Sequence, residues 1–102
     1  MKTKSNENFL EDLYAAIKKQ AKGKDKKSYT KFLISKGRDK IAQKIAEESS
    51  ELIIDYLKGS KKRVVEEASD LIYHLLVMLC SRKITLSDIK KELQRRKGVR
   101  RK

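Results

Sequence analysis

DKIAQKIAEESSELIIDYLKGSKKRVVEEASDLIYHLLVMLCS, residues 39–81, predicts two long helices joined by a tight turn. The stretch contains no proline and is rich in Glu, Lys, Ile, Leu and Ala, which carry small helix penalties. Its only glycine, Gly59, can end the first helix, and Ser60 directly after it is a favourable N-cap for the second. The helices are therefore expected to span residues 39–58 and 61–81 and to lie antiparallel.

The segments before this stretch also predict helices. The first helix is expected over residues 5–22, ending at Gly23, and residues 23–29 predict a polar loop. A short helix should follow, with Thr30 as its cap and Gly37 at its end. The apolar residues of the first helix recur at three- and four-residue spacing: Phe9, Leu10, Leu13, Tyr14 and Ile17.

The segment after the stretch predicts one more helix. It should begin near Thr85, because Thr85 and Asp88 have capping-box spacing, with Asp in place of the usual Glu. Its apolar stripe consists of Leu86, Ile89 and Leu93. Residues 95–102 predict a frayed basic tail. The chain as a whole, 1–102, is expected to be a single all-α domain, a bundle of four to five helices built around the antiparallel hairpin.

The second long helix predicts a homodimer. Residues 71–80 are apolar around nearly the whole helix, apart from His74, and a helix of this kind has to be covered on all sides. The chain has 102 residues, of which 38% are hydrophobic and 40% charged, so its other helices would struggle to supply that cover. A second copy of the chain would complete the bundle.

The charge of the chain first indicates nucleic acid, since the net charge is +13. The distribution argues against it. Residues 1–40 carry 12 basic and 5 acidic groups, residues 41–82 carry 6 and 7, and residues 83–102 carry 9 and 2. An acidic island between basic flanks suits a site that holds both a cation and a polyphosphate.

Neither a membrane nor an oxidising compartment is indicated. The N-terminus lacks the apolar segment of a signal peptide, and no apolar run approaches the roughly 20 residues that span a bilayer. Cys80 is the only cysteine, so no intrachain disulfide can form. A cytoplasmic location is expected, and Cys80 itself is interpreted as a packing residue.

Acidic residues on both long helices are expected to face one another across the hairpin. Glu51 and Glu67 each lie eight residues from Gly59, about 12 Å along the helix axis. Glu48 and Asp70 each lie eleven residues from it, one helical turn further on. The four carboxylates would form two rungs, which suit a hard cation such as Mg²⁺. A solvated acidic surface is the alternative interpretation.

The acidic pattern also resembles a known superfamily. Glu47-Glu48-x-x-Glu51 followed by Glu67-x-x-Asp70 is similar to the metal-binding pattern of the all-α nucleotide pyrophosphatases related to MazG and the helical dUTPases. Three surrounding segments are similar to the narrower phosphoribosyl-ATP pyrophosphatase family: residues 28–30, 41–48 and 65–77. The resemblance covers about residues 8–96. The basic extension 95–102 departs from it, as does the absence of a cyclohydrolase domain, which leads us to expect a stand-alone form.

The resemblance implies a reaction and a set of ligands. A phosphoribosyl-ATP pyrophosphohydrolase splits the α–β phosphoanhydride of its small-molecule substrate in histidine biosynthesis, releasing pyrophosphate and phosphoribosyl-AMP. The implied Mg²⁺ ligands and catalytic carboxylates are Glu47, Glu48, Glu51, Glu67 and Asp70. Which of them acts as the base stays open.

Further residues are candidates for binding substrate. Lys44, one turn before Glu48, could hold a phosphate, and Lys36, Arg38 and Lys40 could hold the ribose-5-phosphate end, although each could equally be a solvated basic residue. Tyr29 and Thr30 could contact substrate or merely form a turn. His74 has metal-ligand spacing to Asp70, but Mg²⁺ prefers oxygen, so a hydrogen-bonded core histidine is favoured.

Two other functions compete with this one. The first is a nucleoside triphosphate pyrophosphohydrolase of the MazG type, which would use the same carboxylates. The second is a basic helical module that binds nucleic acid or a partner without catalysis, through its charge alone. The segments 28–30 and 69–77 favour the phosphoribosyl-ATP enzyme over the MazG type, and the acidic island argues against a specific nucleic-acid partner.

Overall fold

The computed structural model describes residues 7–97, which contain five α-helices and no strand. The prediction of an all-α bundle is confirmed, and both long helices have the predicted bounds to within one residue. In chain order the helices are α1 (Phe9–Lys22), α2 (Tyr29–Lys36), α3 (Arg38–Lys58), α4 (Lys61–Ser81) and α5 (Leu86–Lys97).

The turn between α3 and α4 requires the glycine at its centre. The Gly59 amide donates a hydrogen bond of 2.7 Å to the Asp55 carbonyl. A Cβ added at Gly59 would lie 2.9 Å from both Cα and O of Asp55, closer than two such atoms can approach. The Ser60 hydroxyl accepts a hydrogen bond of 3.1 Å from the Arg63 amide, so the predicted N-cap of α4 is confirmed.

The remaining helices pack around this hairpin. α1 and α2 both lie against α4, and α2 also contacts α3. The Tyr14 hydroxyl of α1 donates a hydrogen bond of 2.7 Å to the Ile84 carbonyl, just beyond the end of α4. The core where these helices meet consists of Ile17, Leu33, Ile41, Leu76 and Val77.

The ends of the short elements differ from expectation in two places. The first helix was expected to begin at residue 5, but α1 begins at Phe9. Residues 5 and 6 lie outside the described part of the chain. Ser28, rather than Thr30, caps α2: its backbone is extended and its hydroxyl accepts from the Lys31 amide at 3.2 Å. The predicted cap at Thr30 is wrong because that side chain is buried within the helix.

The predicted capping box of α5 is confirmed. The Thr85 hydroxyl accepts from the Asp88 amide at 3.1 Å, and the Asp88 carboxylate accepts from the Thr85 amide at 3.0 Å. Arg95 and Arg96 belong to the last turn of this helix, where both pair with Glu92, so the helix extends into the predicted frayed tail. The rest of that tail, residues 98–102, lies outside the described residues.

The end of α4 contains a residue in a strained conformation, which gives a testable prediction. Ile84 donates to the Leu79 carbonyl at 2.9 Å and Lys83 to the Cys80 carbonyl at 3.0 Å, with Lys83 left-handed at φ 59°. Because glycine adopts this conformation without strain, Lys83→Gly should raise the free energy of unfolding by up to about 1 kcal/mol in urea denaturation. Lys91→Gly, inside α5, should lower it by about 1 kcal/mol. A loss of stability in Lys83→Gly would contradict this.

Exposed apolar side chains remain on both helices of the hairpin. On α3, Ile41 near the start of the helix is buried, whereas Ile53 and Tyr56 are 57% and 75% exposed. On α4, Val65 and Ile72 are 56% and 43% exposed. We call these four exposed residues the apolar face. Among residues 7–97 no helix combines the length and apolar content needed to cross a membrane.

Candidate active site at the helical hairpin

Three carboxylates meet where α3 faces α4. Glu48 of α3 and Glu67 and Asp70 of α4 each offer one oxygen, and these oxygens all lie within 4.8 Å of one another. Antiparallel helices bring to one level residues that lie equally far from the turn, which is why Glu48 and Asp70 meet. We call these three residues the carboxylate cluster.

The cluster is an unfavourable arrangement unless a positive charge joins it. Glu48 and Glu67 are 8% and 5% exposed, and the Oε1 atom of each is buried without a hydrogen-bond partner among the described residues. A buried carboxylate oxygen without a partner costs free energy, and a second one beside it adds repulsion. Oxygen ligands at this spacing suit a hard divalent cation such as Mg²⁺, so the donor set fits the predicted metal.

Glu51 lies beside the cluster. Burial raises the pKa of Glu67, and so do a hydrogen bond and repulsion from Glu51, while the Arg63 guanidinium lowers it. The Glu51 and Glu67 side chains are therefore neighbours, as the eight-residue spacing on each side of Gly59 predicts. Glu51 itself is exposed.

The raised pKa of Glu67 predicts how the metal-free stability depends on pH. Between the unfolded and the folded pKa, the folded chain holds a proton that the unfolded chain has released, so stability falls as pH rises through that window. In EDTA, the melting temperature of the unmodified chain should decrease from pH 4 towards pH 7 more steeply than that of Glu67→Gln. Parallel melting curves for the two proteins over this range would contradict the prediction.

Arg63 forms part of the site and was missed in the sequence. Its guanidinium lies 3.0 Å from the Glu67 carboxylate and 3.4 Å from both Asp55 and Glu66. Arg63 and Asp55 each lie four residues from Gly59, so they form a third rung that the same counting rule would have found. This rung joins the two helices next to the turn and supplies a positive charge to one oxygen of Glu67.

Glu47, a predicted metal ligand, does not join the cluster. Its carboxylate accepts a hydrogen bond of 2.9 Å from the side-chain amide of Gln43 and lies 3.4 Å from Lys44, and these two contacts lower its pKa. Lys44 also lies 3.8 Å from the Glu48 carboxylate, and Lys40 is close enough for its charge to act on Glu47. Lys44 and Lys40 thus follow one another along the side of α3 that leads to the cluster.

A series of hydrogen bonds connects α2 to α4, the helix that carries Glu67 and Asp70. The Tyr29 hydroxyl donates to His74 Nε2 at 3.0 Å, and His74 Nδ1–H donates to the Asp70 carbonyl at 2.7 Å. This direction follows because a carbonyl can only accept. Both ring nitrogens of His74 are therefore occupied, which supports the interpretation of a hydrogen-bonded core histidine. The Thr30 hydroxyl is hydrogen-bonded to the Tyr73 hydroxyl and buried, so Thr30 serves packing.

The last two candidates lie away from the cluster. Lys36 Nζ is placed over the Phe32 ring, 5.6 Å from its centroid. Arg38 lines a separate cavity of about 330 Å³ with Arg82, against apolar side chains from both long helices. Arg38 lies six positions before Lys44, which corresponds to a rotation of about 600° around the helix axis. The side chains of Arg38 and Lys44 therefore leave the helix in directions about 120° apart. The structure therefore does not bring Arg38 to the predicted site.

Comparison with known proteins places this chain in one enzyme family. A family model described as phosphoribosyl-ATP pyrophosphohydrolase matches residues 10–97. The chain is 46% identical over 91 residues to the phosphoribosyl-ATP pyrophosphatase of Sulfolobus acidocaldarius, covering 89% of this chain and 96% of the relative. It is 45% identical over 90 residues to the enzyme of that name from Listeria welshimeri, covering 88% and 86%.

A longer relative carries the same unit. The histidine biosynthesis bifunctional protein HisIE of Caldanaerobacter subterraneus is 45% identical over 94 residues, which cover 92% of this chain and 46% of that protein. In every case the matched part of this chain includes the hairpin and the carboxylate cluster. These matches favour the phosphoribosyl-ATP enzyme over the MazG-type enzyme. The chain belongs to the phosphoribosyl-ATP pyrophosphohydrolase family.

Proposed function

We propose that the chain hydrolyses the α–β phosphoanhydride of phosphoribosyl-ATP, releasing phosphoribosyl-AMP and pyrophosphate, as a step of histidine biosynthesis in the cytoplasm. The observation that carries this proposal is the pair of buried, unpartnered oxygens on Glu48 and Glu67 beside Asp70, in a chain of this family. Such a site binds cations, and a polyphosphate substrate brings the anionic oxygens that complete the cation's ligands.

The proposed cofactor is Mg²⁺, held by the carboxylate cluster with Glu51 beside Glu67. When bound, Mg²⁺ neutralises polyphosphate charge and lowers the pKa of a bound water. Glu47 would act next to these ligands, since it lies outside the cluster and is hydrogen-bonded to Gln43. Binding of the cation would also remove the repulsion between the buried carboxylates, which links metal binding to the stability of the hairpin.

The side chains around the cluster have separate tasks in this proposal. Lys44, at the edge of the cluster, binds a phosphate of the polyphosphate chain, and Lys40 extends the positive charge by one helical turn. One of the clustered carboxylates accepts the proton of the attacking water. Arg63 holds the Glu67 carboxylate in place from the turn side, 3.0 Å away.

A substrate panel with a metal titration tests the proposal. The chain, freed of metal with EDTA and dialysed, should release no pyrophosphate from phosphoribosyl-ATP, and added Mg²⁺ should restore release. ATP and the other nucleoside triphosphates should react with kcat/KM lower by at least about a hundredfold, because they lack the second ribose phosphate. Comparable rates on nucleoside triphosphates would instead establish the MazG-type activity. Activity in EDTA would contradict the proposed requirement for Mg²⁺.

We also propose that the chain functions as a homodimer, because the apolar face formed by Ile53, Tyr56, Val65 and Ile72 is exposed and a second copy of the chain would cover it. If folding and association are coupled, the melting temperature should rise with protein concentration. Sedimentation equilibrium should give a dimer at micromolar concentration, and Tyr56→Glu should shift it to monomer. Leu93→Glu, an equally drastic change at a 59% exposed residue of α5, serves as the control. A monomeric unmodified chain would contradict this prediction.

A further inference from the structure

α2 exposes a row of side chains that the fold does not use. Tyr29, Phe32 and Lys36 lie at positions i, i+3 and i+7, on one side of the helix, whereas Thr30 and Leu33 on the other side are buried. Tyr29 and Phe32 are 43% and 42% exposed, although both are large aromatic residues. We call Tyr29, Phe32 and Lys36 the α2 stripe.

The rings of the stripe lie in nearly parallel, offset planes. The ring centroids of Tyr29 and Phe32 are 6.2 Å apart and the ring planes differ by 22°. On its other side the Tyr29 ring lies 6.1 Å from the Tyr73 ring, at 23°. Lys36 Nζ closes the far end, 5.6 Å from the Phe32 centroid. The stripe therefore presents two aromatic rings followed by a positive charge.

The Tyr29 ring is held rigidly. Its hydroxyl is hydrogen-bonded to the buried imidazole of His74, and the two rings meet edge to face with centroids 5.7 Å apart. The Tyr73 and His74 rings also meet edge to face, 5.2 Å apart. A rigid aromatic surface binds a flat ligand with a smaller loss of conformational entropy than a mobile one. His74, which the proposed reaction does not use, thus acts as a positioning residue for the stripe.

The stripe begins at the carboxylate cluster and leads away from it. Tyr29 is within electrostatic reach of Lys44 and Glu48, and its partner His74 lies one helical turn beyond Asp70. From Tyr29, α2 runs seven residues to Lys36, about 10 Å along its axis. Moving outward from the cluster, a ligand would meet carboxylates, then aromatic rings, then an ammonium group.

We propose that the α2 stripe is the subsite for the base and the distal phosphate of the substrate. This inference rests on the proposed function. The order of groups matches phosphoribosyl-ATP, in which a polyphosphate, a purine and a second ribose phosphate follow one another. The purine stacks on the Tyr29 and Phe32 rings, and Lys36 binds the distal phosphate. Lys36 would then contribute part of the selection against nucleoside triphosphates, since these substrates end at the base.

Three substitutions, two at Phe32 and one at Phe9, test whether the stripe stacks on the base. Phe32→Leu, which keeps apolar volume but removes the ring, should raise KM for phosphoribosyl-ATP about tenfold with a much smaller change in kcat. Phe32→Tyr keeps the ring and should restore a KM close to that of the unmodified chain. Phe9→Leu, at a comparably exposed phenylalanine of α1, should leave both constants unchanged. Circular dichroism would show that all three variants are folded.

Product binding tests Lys36 without turnover. Isothermal titration with phosphoribosyl-AMP should show about a tenfold weaker affinity for Lys36→Gln, because a charged contact to phosphate is lost. Titration with AMP, which lacks the second phosphate, should give the same affinity for both proteins. Equal losses for the two ligands would overturn the assignment of Lys36 to the distal phosphate.

The outcomes separate this inference from the proposed function. A chain that releases no pyrophosphate contradicts the proposed function, and product binding then decides the inference alone. An active chain in which Phe32→Leu behaves like Phe9→Leu overturns the inference and leaves the proposed function standing. A Phe32→Leu variant that changes sedimentation without changing KM also overturns it, because Phe32 would then serve contacts between copies of the chain.

Discussion

Glu48→Gln and Asp70→Asn are each expected to lower kcat for pyrophosphate release by at least about a hundredfold at saturating Mg²⁺. Each substitution removes one charged oxygen from the cluster, where ligand atoms lie within 4.8 Å of one another, while changing the side-chain volume very little. The helical fold should therefore persist. Steady-state kinetics with circular dichroism on the same samples checks both parts of the prediction.

Stability without metal provides the second readout of these variants. In EDTA, Glu48→Gln should melt at the same temperature as the unmodified chain or above it, because Glu48 Oε1 is buried without a partner and repels the neighbouring carboxylates. Glu66→Gln is the matched control, since Glu66 is exposed, pairs with Arg63 and lies outside the cluster. Turnover of Glu48→Gln within a fewfold of the control would show that the site is assigned wrongly.

Gly59→Ala is expected to reduce both stability and turnover, since the turn sets the register of the carboxylates. The added Cβ would lie 2.6 Å from Asp55 Oδ1 and 2.9 Å from two backbone atoms of Asp55, and the backbone cannot yield as a side chain can. We expect a loss of about 1–3 kcal/mol in the free energy of unfolding, the usual cost of overpacking. We expect kcat to fall at least about tenfold, because a change of 1 Å between catalytic groups is costly.

The control for Gly59→Ala is Gly23→Ala. A Cβ at Gly23 would meet its nearest atoms at 3.4 and 3.6 Å, which is ordinary contact, so this variant should unfold at nearly the same urea concentration as the unmodified chain. If the two alanine variants were equally stable and equally active, the close approach at Gly59 would not determine the geometry of the site.

The helices could be predicted because their signals are local. Ser60 and the Thr85–Asp88 pair mark helix starts through hydrogen bonds that span three residues. The mistaken cap at Thr30 has the opposite origin. Thr30 is drawn into the helix by its contact with Tyr73, 43 residues away, and no local pattern reports such a contact.

The carboxylate cluster was partly predictable because residues equally far from the turn of a helical hairpin lie at the same level. Equal distances from Gly59 predicted that Glu48 would meet Asp70 and that Glu51 would meet Glu67, and the same rule accounts for Arg63 and Asp55. Counting does not give the direction of a side chain. Glu47 has a place in the acidic motif, yet Gln43 and Lys44 hold its carboxylate away from the cluster.

The all-helical fold, the hairpin and its register follow from local sequence signals, since periodicity, capping and one glycine act over a few residues. Three features become visible only in the packed helices: which carboxylates are buried, which apolar residues of α3 stay exposed, and the hydrogen bond between Tyr29 and His74. The contact between Tyr29 and His74 depends on α2 packing against α4, which joins residues 45 positions apart. Burial and orphaned oxygens, which give the site its affinity for a cation, arise only when such distant segments exclude water together.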